Sequence, residues 1–255
     1  MDEHVRVERL DDVLAITLAR PDRRNAITVA MYAALAEAIE SAADDDRLRL
    51  ITIRGEGQDF TAGNDLNDFI AELPRISDDI PVWRLLRALA RNQVPLVAAV
   101  QGNAVGIGTT MLLHCDLVIA AESARFSLPF VDLGLVPEAA SSLILPRLAG
   151  RRLAARYLLL AERFGAPEAL DAGIVSHVVA DSGLESALAD LTASLLAKPA
   201  EALRATQRLL RTGSTEEILE RMKLEGDHFT ERLQSAEVRE AIAAFFAKRT
   251  GSRAG

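Results

Sequence analysis

The stretch that most limits the possible folds is PLVAAVQGNAVGIGTTMLLHC, residues 95–115. Pro95 to Val100 is a compact apolar run and reads as a buried strand. Glycines at 102, 106 and 108 follow, and then an apolar run of helical character. A strand, a glycine turn and a helix together point backbone N–H groups at a bound anion. The first amides of a helix lack internal partners, and the helix dipole adds positive potential there. Glycine admits unusual dihedrals and lets a ligand come close. The spacing lacks the third glycine of a dinucleotide fingerprint and the lysine of a phosphate loop. Taken alone, close packing of a helix on a strand explains it as well.

A second stretch repeats the pattern. Leu50 to Arg54, LITIR, reads as a short alternating strand and runs into GEGQDFTAGNDL, residues 55–66. Asp65 starts a short helix, expected over Asp65–Ala71. Two such turns can each give one backbone N–H to a single oxygen, which makes an oxyanion hole.

These residues carry a resemblance. FTAGNDL (60–66) with GNAVGIG (102–108) resembles the crotonase, or enoyl-CoA hydratase/isomerase, superfamily. RPDRRNAIT (20–28) resembles its coenzyme A-binding turn, FSLPFVDLGLVPEAASSLILPRLAG (126–150) its active-site segment, and AAFFAKR (243–249) its C-terminal end. The motifs fall in the family's order over nearly the whole chain.

The resemblance implies an α/β fold. Its core is a crotonase-like spiral of β-β-α units carrying the acyl-CoA site, expected over 1–195. A C-terminal helical region used in trimerisation is expected over 196–255. The partners implied are an acyl-CoA thioester and further copies of the chain, as a homotrimer or a hexamer. No cofactor is implied beyond the coenzyme A of the substrate. The net charge of −8 argues against nucleic acid or a membrane surface as the main partner. A single cysteine, Cys115, excludes an intrachain disulfide and suits a reducing compartment, and it is expected to be buried and inert. With an acidic N-terminus and no apolar run of membrane length, a cytoplasmic location is expected.

Between the motifs, Val5–Leu10 and Val13–Leu18 read as two strands about an Asp-Asp turn. Thr28 caps a helix running to Ala42, with Leu35 and Ile39 on one face. Asp44 to Asp46 read as a solvated turn rather than a metal site. Val82–Ala90 reads as an amphipathic helix, and Asp116–Ala120 and Ala124–Ser127 as strands. Leu128–Glu138 is loop, Ala139–Leu148 and Arg151–Leu160 are helices, and Ile174–Val179 is a last strand. From Leu184 on, the pattern is helical, broken near Pro199 and Gly213. His114 lies among apolar neighbours and reads as a packed core residue.

Site roles follow from the resemblance. The N–H groups of Asn64 and Ile107 would form the oxyanion hole. The thioester would be held by Arg23, Arg24, Ala26, Ala62, Gly63, Asp65, Leu66, Gly106, Phe130, Leu135 and Lys248. Arg20 and Arg249 add positive charge beside the nucleotide. Leu66, Phe69, Ile70, Trp83 and Leu86 are candidates for an acyl tunnel.

The family's hydratases use two glutamates to activate water. The matching positions are Thr110 and Phe130, and neither can act as a carboxylate base. Glu138, after Pro137, falls where Δ3-Δ2-enoyl-CoA isomerases carry their one catalytic glutamate. Burial beside Phe130, Leu135 and Val136 would raise its pKa, as a base for a carbon acid requires. A competing reading makes Glu138 only the cap of the helix that follows. Other enolate chemistry on the same scaffold, as in a hydratase or decarboxylase, and a non-catalytic acyl-CoA-binding role are the alternatives.

Overall fold

The computed structural model describes residues 2–65, 68 and 80–251, apart from the side chains of residues 242, 245, 246 and 248–251. Strand β1 (Val5–Leu10) pairs antiparallel with β2 (Val13–Leu18). Helix α1 (Val29–Ala43) starts at Thr28, whose hydroxyl accepts from Met31 N. Strand β3 (Leu50–Gly55), helix α2 (Pro81–Arg91) and strand β4 (Leu96–Val100) follow. Strand β5 (Asn103–Val105) and a one-turn helix α3 (Ile107–Thr110) lead into a 3-10 turn over Met111–His114. After β6 (Leu117–Ala121) and β7 (Arg125–Ser127) come helices α4 (Ser141–Ala149) and α5 (Arg151–Leu159). Strand β8 (Phe164–Gly165), helix α6 (Ala166–Asp171) and strand β9 (His177–Val179) close the sheets. Helices α7 (Leu184–Leu196), α8 (Ala200–Arg211), α9 (Thr215–Leu233) and α10 (Ala236–Gly251) complete the chain.

Six strands form one sheet in the order β1-β2-β3-β4-β6-β9, parallel from β2 onward. Strands β5, β7 and β8 form a second, smaller sheet. The large sheet is covered on both faces. Leu35, Ile39, Leu85 and Leu89 of α1 and α2 pack in the main core, while Leu188, Leu191, Leu195 and Leu196 of α7 lie over Val13, Leu50 and Val97. LITIR is a strand, as its alternation suggests, but it is covered on both faces. Thr52 is buried, and Arg54 reaches the edge of α7 to pair with Glu185. The polar positions of β3 face a helix that lies about 130 residues later, so local alternation could not report their burial.

Three other readings shift. The helix expected after Gly102 is preceded by β5 and lasts one turn. The helix expected from Ala139 starts two residues later, because Ala139 and Ala140 are left-handed, with φ 59° and 55°. The last strand is three residues, and β8 and α6 carried no signal that was used. No helix among the described residues is long and apolar enough to cross a membrane.

Helices α9 and α10 fold back onto the main body. Met222, Phe229, Leu233 and Val238 belong to the same buried cluster as the sheet, and Trp83 of α2 meets Phe229 edge-on at 6.1 Å.

Candidate active site

Strands β3 and β4 are parallel neighbours, with Arg54 opposite Ala99, so both chains leave the sheet side by side. Ligands of parallel sheets gather at such carboxyl ends. The two departing segments are stitched main chain to main chain. Phe60 N donates to Gln101 O (2.7 Å), Thr61 N to Asn103 O (2.9 Å) and Val105 N to Thr61 O (3.1 Å). Gly63 lies so close that a Cβ there would meet Val105 O at 2.7 Å.

A third segment joins them. Ile27 N donates to Gly63 O (2.8 Å) and Asp65 N to Ile27 O (2.9 Å), which fixes Asn64 from behind. Asn25 is fully buried and left-handed. Its amide donates to Glu56 O (2.9 Å) and Asp59 O (2.7 Å), and its carbonyl accepts from Thr61 Oγ1 (2.6 Å). Arg20 is committed internally, to Asp65 Oδ2 at 2.8 Å and Ala26 O at 3.0 Å. It ties two turns together. Arg23 and Arg24 stay exposed beside it, Arg24 lying 3.9 Å from Asp59. Ala26 and Ala62 line the same junction, with Ala62 N donating to Arg24 O (2.9 Å).

Among the described residues, neither Asn64 N–H nor Ile107 N–H has an acceptor within the chain. Gly106, with φ 56° and ψ −116°, turns the peptide so that Ile107 opens α3. Those dihedrals belong to glycine alone. The structure therefore brings the two turns carrying Asn64 and Ile107 into contact. Leu66, Phe69 and Ile70 lie outside the described residues, as do the side chains of Lys248 and Arg249. Leu86 is buried in the main core.

Glu138 is 6% exposed. Thr110 Oγ1 donates to its Oε1 in a very short hydrogen bond. Its Oε2 is buried and, among the described residues, has no partner. Phe130 and Leu135 are buried too, and Leu135 N donates to Phe130 O (2.9 Å). Burial pushes the Glu138 carboxyl up to about 8, the Thr110 hydroxyl pulls it partly back, and the charge of Glu225 adds to the rise. The competing reading of Glu138 as a helix cap fails, because Ala140 is the residue that precedes the first helical turn.

Other groups at this site were not found from sequence. Tyr32 of α1 is buried, and its hydroxyl donates to Asn64 Oδ1. Burial and the Glu138 charge both hold the phenol well above its usual range. Glu225 of α9 is buried against the turn that follows Glu138, accepting from Ala140 N (2.6 Å) and Ser142 N (2.9 Å). A signal was present: Glu225 sits three residues after Met222 and four before Phe229, on the apolar stripe of its helix. His114 is core, as expected, and burial lowers it to about 4. As neutral imidazole it donates from Nε2 to Ala139 O at 2.8 Å. Cys115 is half-buried, and burial pushes its thiol far up.

Similarity to known proteins identifies the family. The enoyl-CoA hydratase/isomerase family matches residues 8–252. The chain belongs to it. It is 35% identical to the 1,2-epoxyphenylacetyl-CoA isomerase of Escherichia coli over 93% of each chain. It is 36% identical to the 2,3-dehydroadipyl-CoA hydratase of the same organism over 96% of each. A solved enoyl-CoA hydratase/isomerase from Pseudoalteromonas atlantica superposes with a TM-score of 0.91 at 41% identity, covering 96% of this chain and 98% of its own. The crotonase fold expected from the motifs is therefore the fold observed. The relatives span isomerase and hydratase chemistry, so the reaction has to be argued from the site.

Proposed function

We propose that this protein isomerises 3-enoyl-CoA thioesters to 2-enoyl-CoA thioesters through a 1,3-proton shift on Glu138. The observation that carries the reading is one buried glutamate with an unpartnered Oε2, set where hydratase-type water activation lacks its two carboxylates. Thr110 is occupied as a donor to Glu138, and Phe130 is apolar. Such a pocket favours proton exchange with carbon over attack by water.

In the proposed reaction Glu138 Oε2 removes a proton from C2. The C–H pair becomes part of a dienolate, and the negative charge falls on the thioester oxygen. Asn64 N–H and Ile107 N–H donate to that oxygen. Two preorganised backbone donors act most strongly where water is excluded. Glu138 then delivers the proton to C4, the electrons return along the chain, and the double bond lies between C2 and C3. Arg23, Arg24 and Lys248 supply positive charge for the nucleotide phosphates, while Phe130 and Leu135 keep the reacting carbons dry. Exposed leucines such as Leu209 and Leu210 on α8 fit assembly into trimers, which light scattering checks.

A paired assay tests the reaction. With trans-3-hexenoyl-CoA, conjugated-enoyl absorbance is expected to grow. With crotonyl-CoA, no loss is expected. Loss of crotonyl-CoA without gain in the first assay would replace this reading with hydration.

A further inference from the structure

Glu138 is followed by two consecutive alanines in the left-handed region, a conformation that alanine does not choose unaided. The turn is held from several directions. Ser141 N and Oγ donate to Glu138 O at 3.0 and 2.6 Å, and His114 Nε2 donates to Ala139 O. The remaining grip comes from Glu225, 87 residues after Glu138, on a helix of the C-terminal region. Its two oxygens accept from Ala140 N and Ser142 N, the amides that flank the start of α4. Arg221, one turn earlier, donates to Ser142 Oγ at 3.2 Å. Glu225, Arg221 and His228 line one side of a cavity of about 190 Å³, with Val136 and Pro137 on the other.

We propose that Glu225 is a positioning residue, which fixes the strained Ala139–Ala140 turn and thereby aims the Glu138 carboxyl. The role of Glu138 rests on the isomerase reading; its placement does not. Burial of an acidic group so close by is costly unless the group is used, and both its oxygens are used. Burial does most to raise Glu138 and the Thr110 hydroxyl opposes it, while the charge of Glu225 adds to the rise and so favours the protonated form. Among the described residues, the other groups facing Glu138 are Thr110 from α3 and Tyr32 from α1. Arg221 and His228 share α9 with Glu225, and Arg221 partly offsets its burial.

The test uses Glu225→Gln and Glu225→Asp in the full chain. Glutamine can accept only one of the two N–H groups and carries no charge. Its kcat on a 3-enoyl-CoA is expected to fall about 100-fold at nearly constant KM. The ascending limb of its pH profile should move to lower pH. Aspartate keeps the charge but is one methylene short, so kcat should fall with the limb in place. If the glutamine variant does not fold, aspartate decides, and a kcat within twofold of wild type overturns the proposal. Independently of turnover, carbon-13 NMR of labelled glutamate follows the Glu138 carboxyl, assigned by its loss in Glu138→Gln. Its titration is expected to fall in Glu225→Gln. An unmoved titration with normal isomerisation overturns the positioning role alone. A moved titration in a chain that isomerises nothing overturns the isomerase reading and leaves the positioning role standing.

Discussion

Asn64 and Ile107 present main-chain groups from turns joined by backbone hydrogen bonds. Glu138 presents a side chain bonded by Thr110 and followed by a turn that His114 and Glu225 hold, so two separate parts of the chain converge on it. In the proposed mechanism the first half of the site depends on dihedral angles and is nearly indifferent to side-chain identity, so an isoleucine at 107 would serve as well as another residue. The second half depends on which side chains arrive and how dry they make the pocket. One half is therefore vulnerable to changes of backbone, the other to changes of a single polar atom.

The sharpest way to break this contrast is Glu138→Gln. Isomerisation is expected to fall about 10³-fold, within the usual range for loss of a general base. Binding of an acyl-CoA, followed by calorimetry, should persist because the backbone half is untouched. Turnover near the wild-type rate would move the chemistry elsewhere.

Next in size is Gly106→Ala. A Cβ there would meet nothing within 4 Å, so any effect must come from the dihedrals. A loss on the order of 10² in kcat is expected, comparable to losing one oxyanion donor. Ile107→Val is the control. It should leave kcat within a few-fold and cost about 1 kcal/mol of stability, read by urea unfolding. Equal losses in the two variants would show that the side chain, not the amide, matters.

The base half also predicts a stability trade. Glu138 titrates near 8 when folded, against about 4.5 as an ordinary carboxyl, so between those values the folded chain holds the extra proton. Its contribution is fully present below pH 4.5 and is lost as pH rises through 8. Glu138→Gln removes that loss, so the inactive variant should be the more stable one at pH 9, by a few kcal/mol. Thermal unfolding at pH 6 and pH 9 checks this. A Tm difference that does not grow with pH would mean that Glu138 is not buried in solution as it is here.

Tyr32→Phe should have the smallest effect. It removes the donor to Asn64 Oδ1, but Asn64 stays fixed through Gly63 and Asp65 by Ile27. A loss of about fivefold in kcat is expected, the equivalent of one ordinary hydrogen bond. A much larger loss would tie the two halves together through this phenol, which also feels the Glu138 charge.

What could be read in advance divides along the same line. The two glycine turns, the strands before them and the helical C-terminal region with its breaks near Pro199 and Gly213 follow from periodicity and from glycine and proline positions, which act over a few residues; the break between α9 and α10 does not. Glu138 was found through the motif around Pro137, not from any local signal of its own chemistry. The one-turn length of α3 was not legible, since β5 ahead of it exists only by pairing with Thr61 and with β7. Nor were the left-handed alanines, which no local preference of alanine predicts.

By itself the sequence determined where the chain must turn, which faces are apolar and which family's motifs it carries, because these depend on neighbours in the chain. Only the tertiary structure decided that Arg20 is an internal tie, that Thr52 is covered, and that Glu225 reaches the turn beside Glu138. Those outcomes depend on desolvation and hydrogen bonding between groups some 45 to 130 residues apart, and such separations are closed only when the helices pack on the sheet.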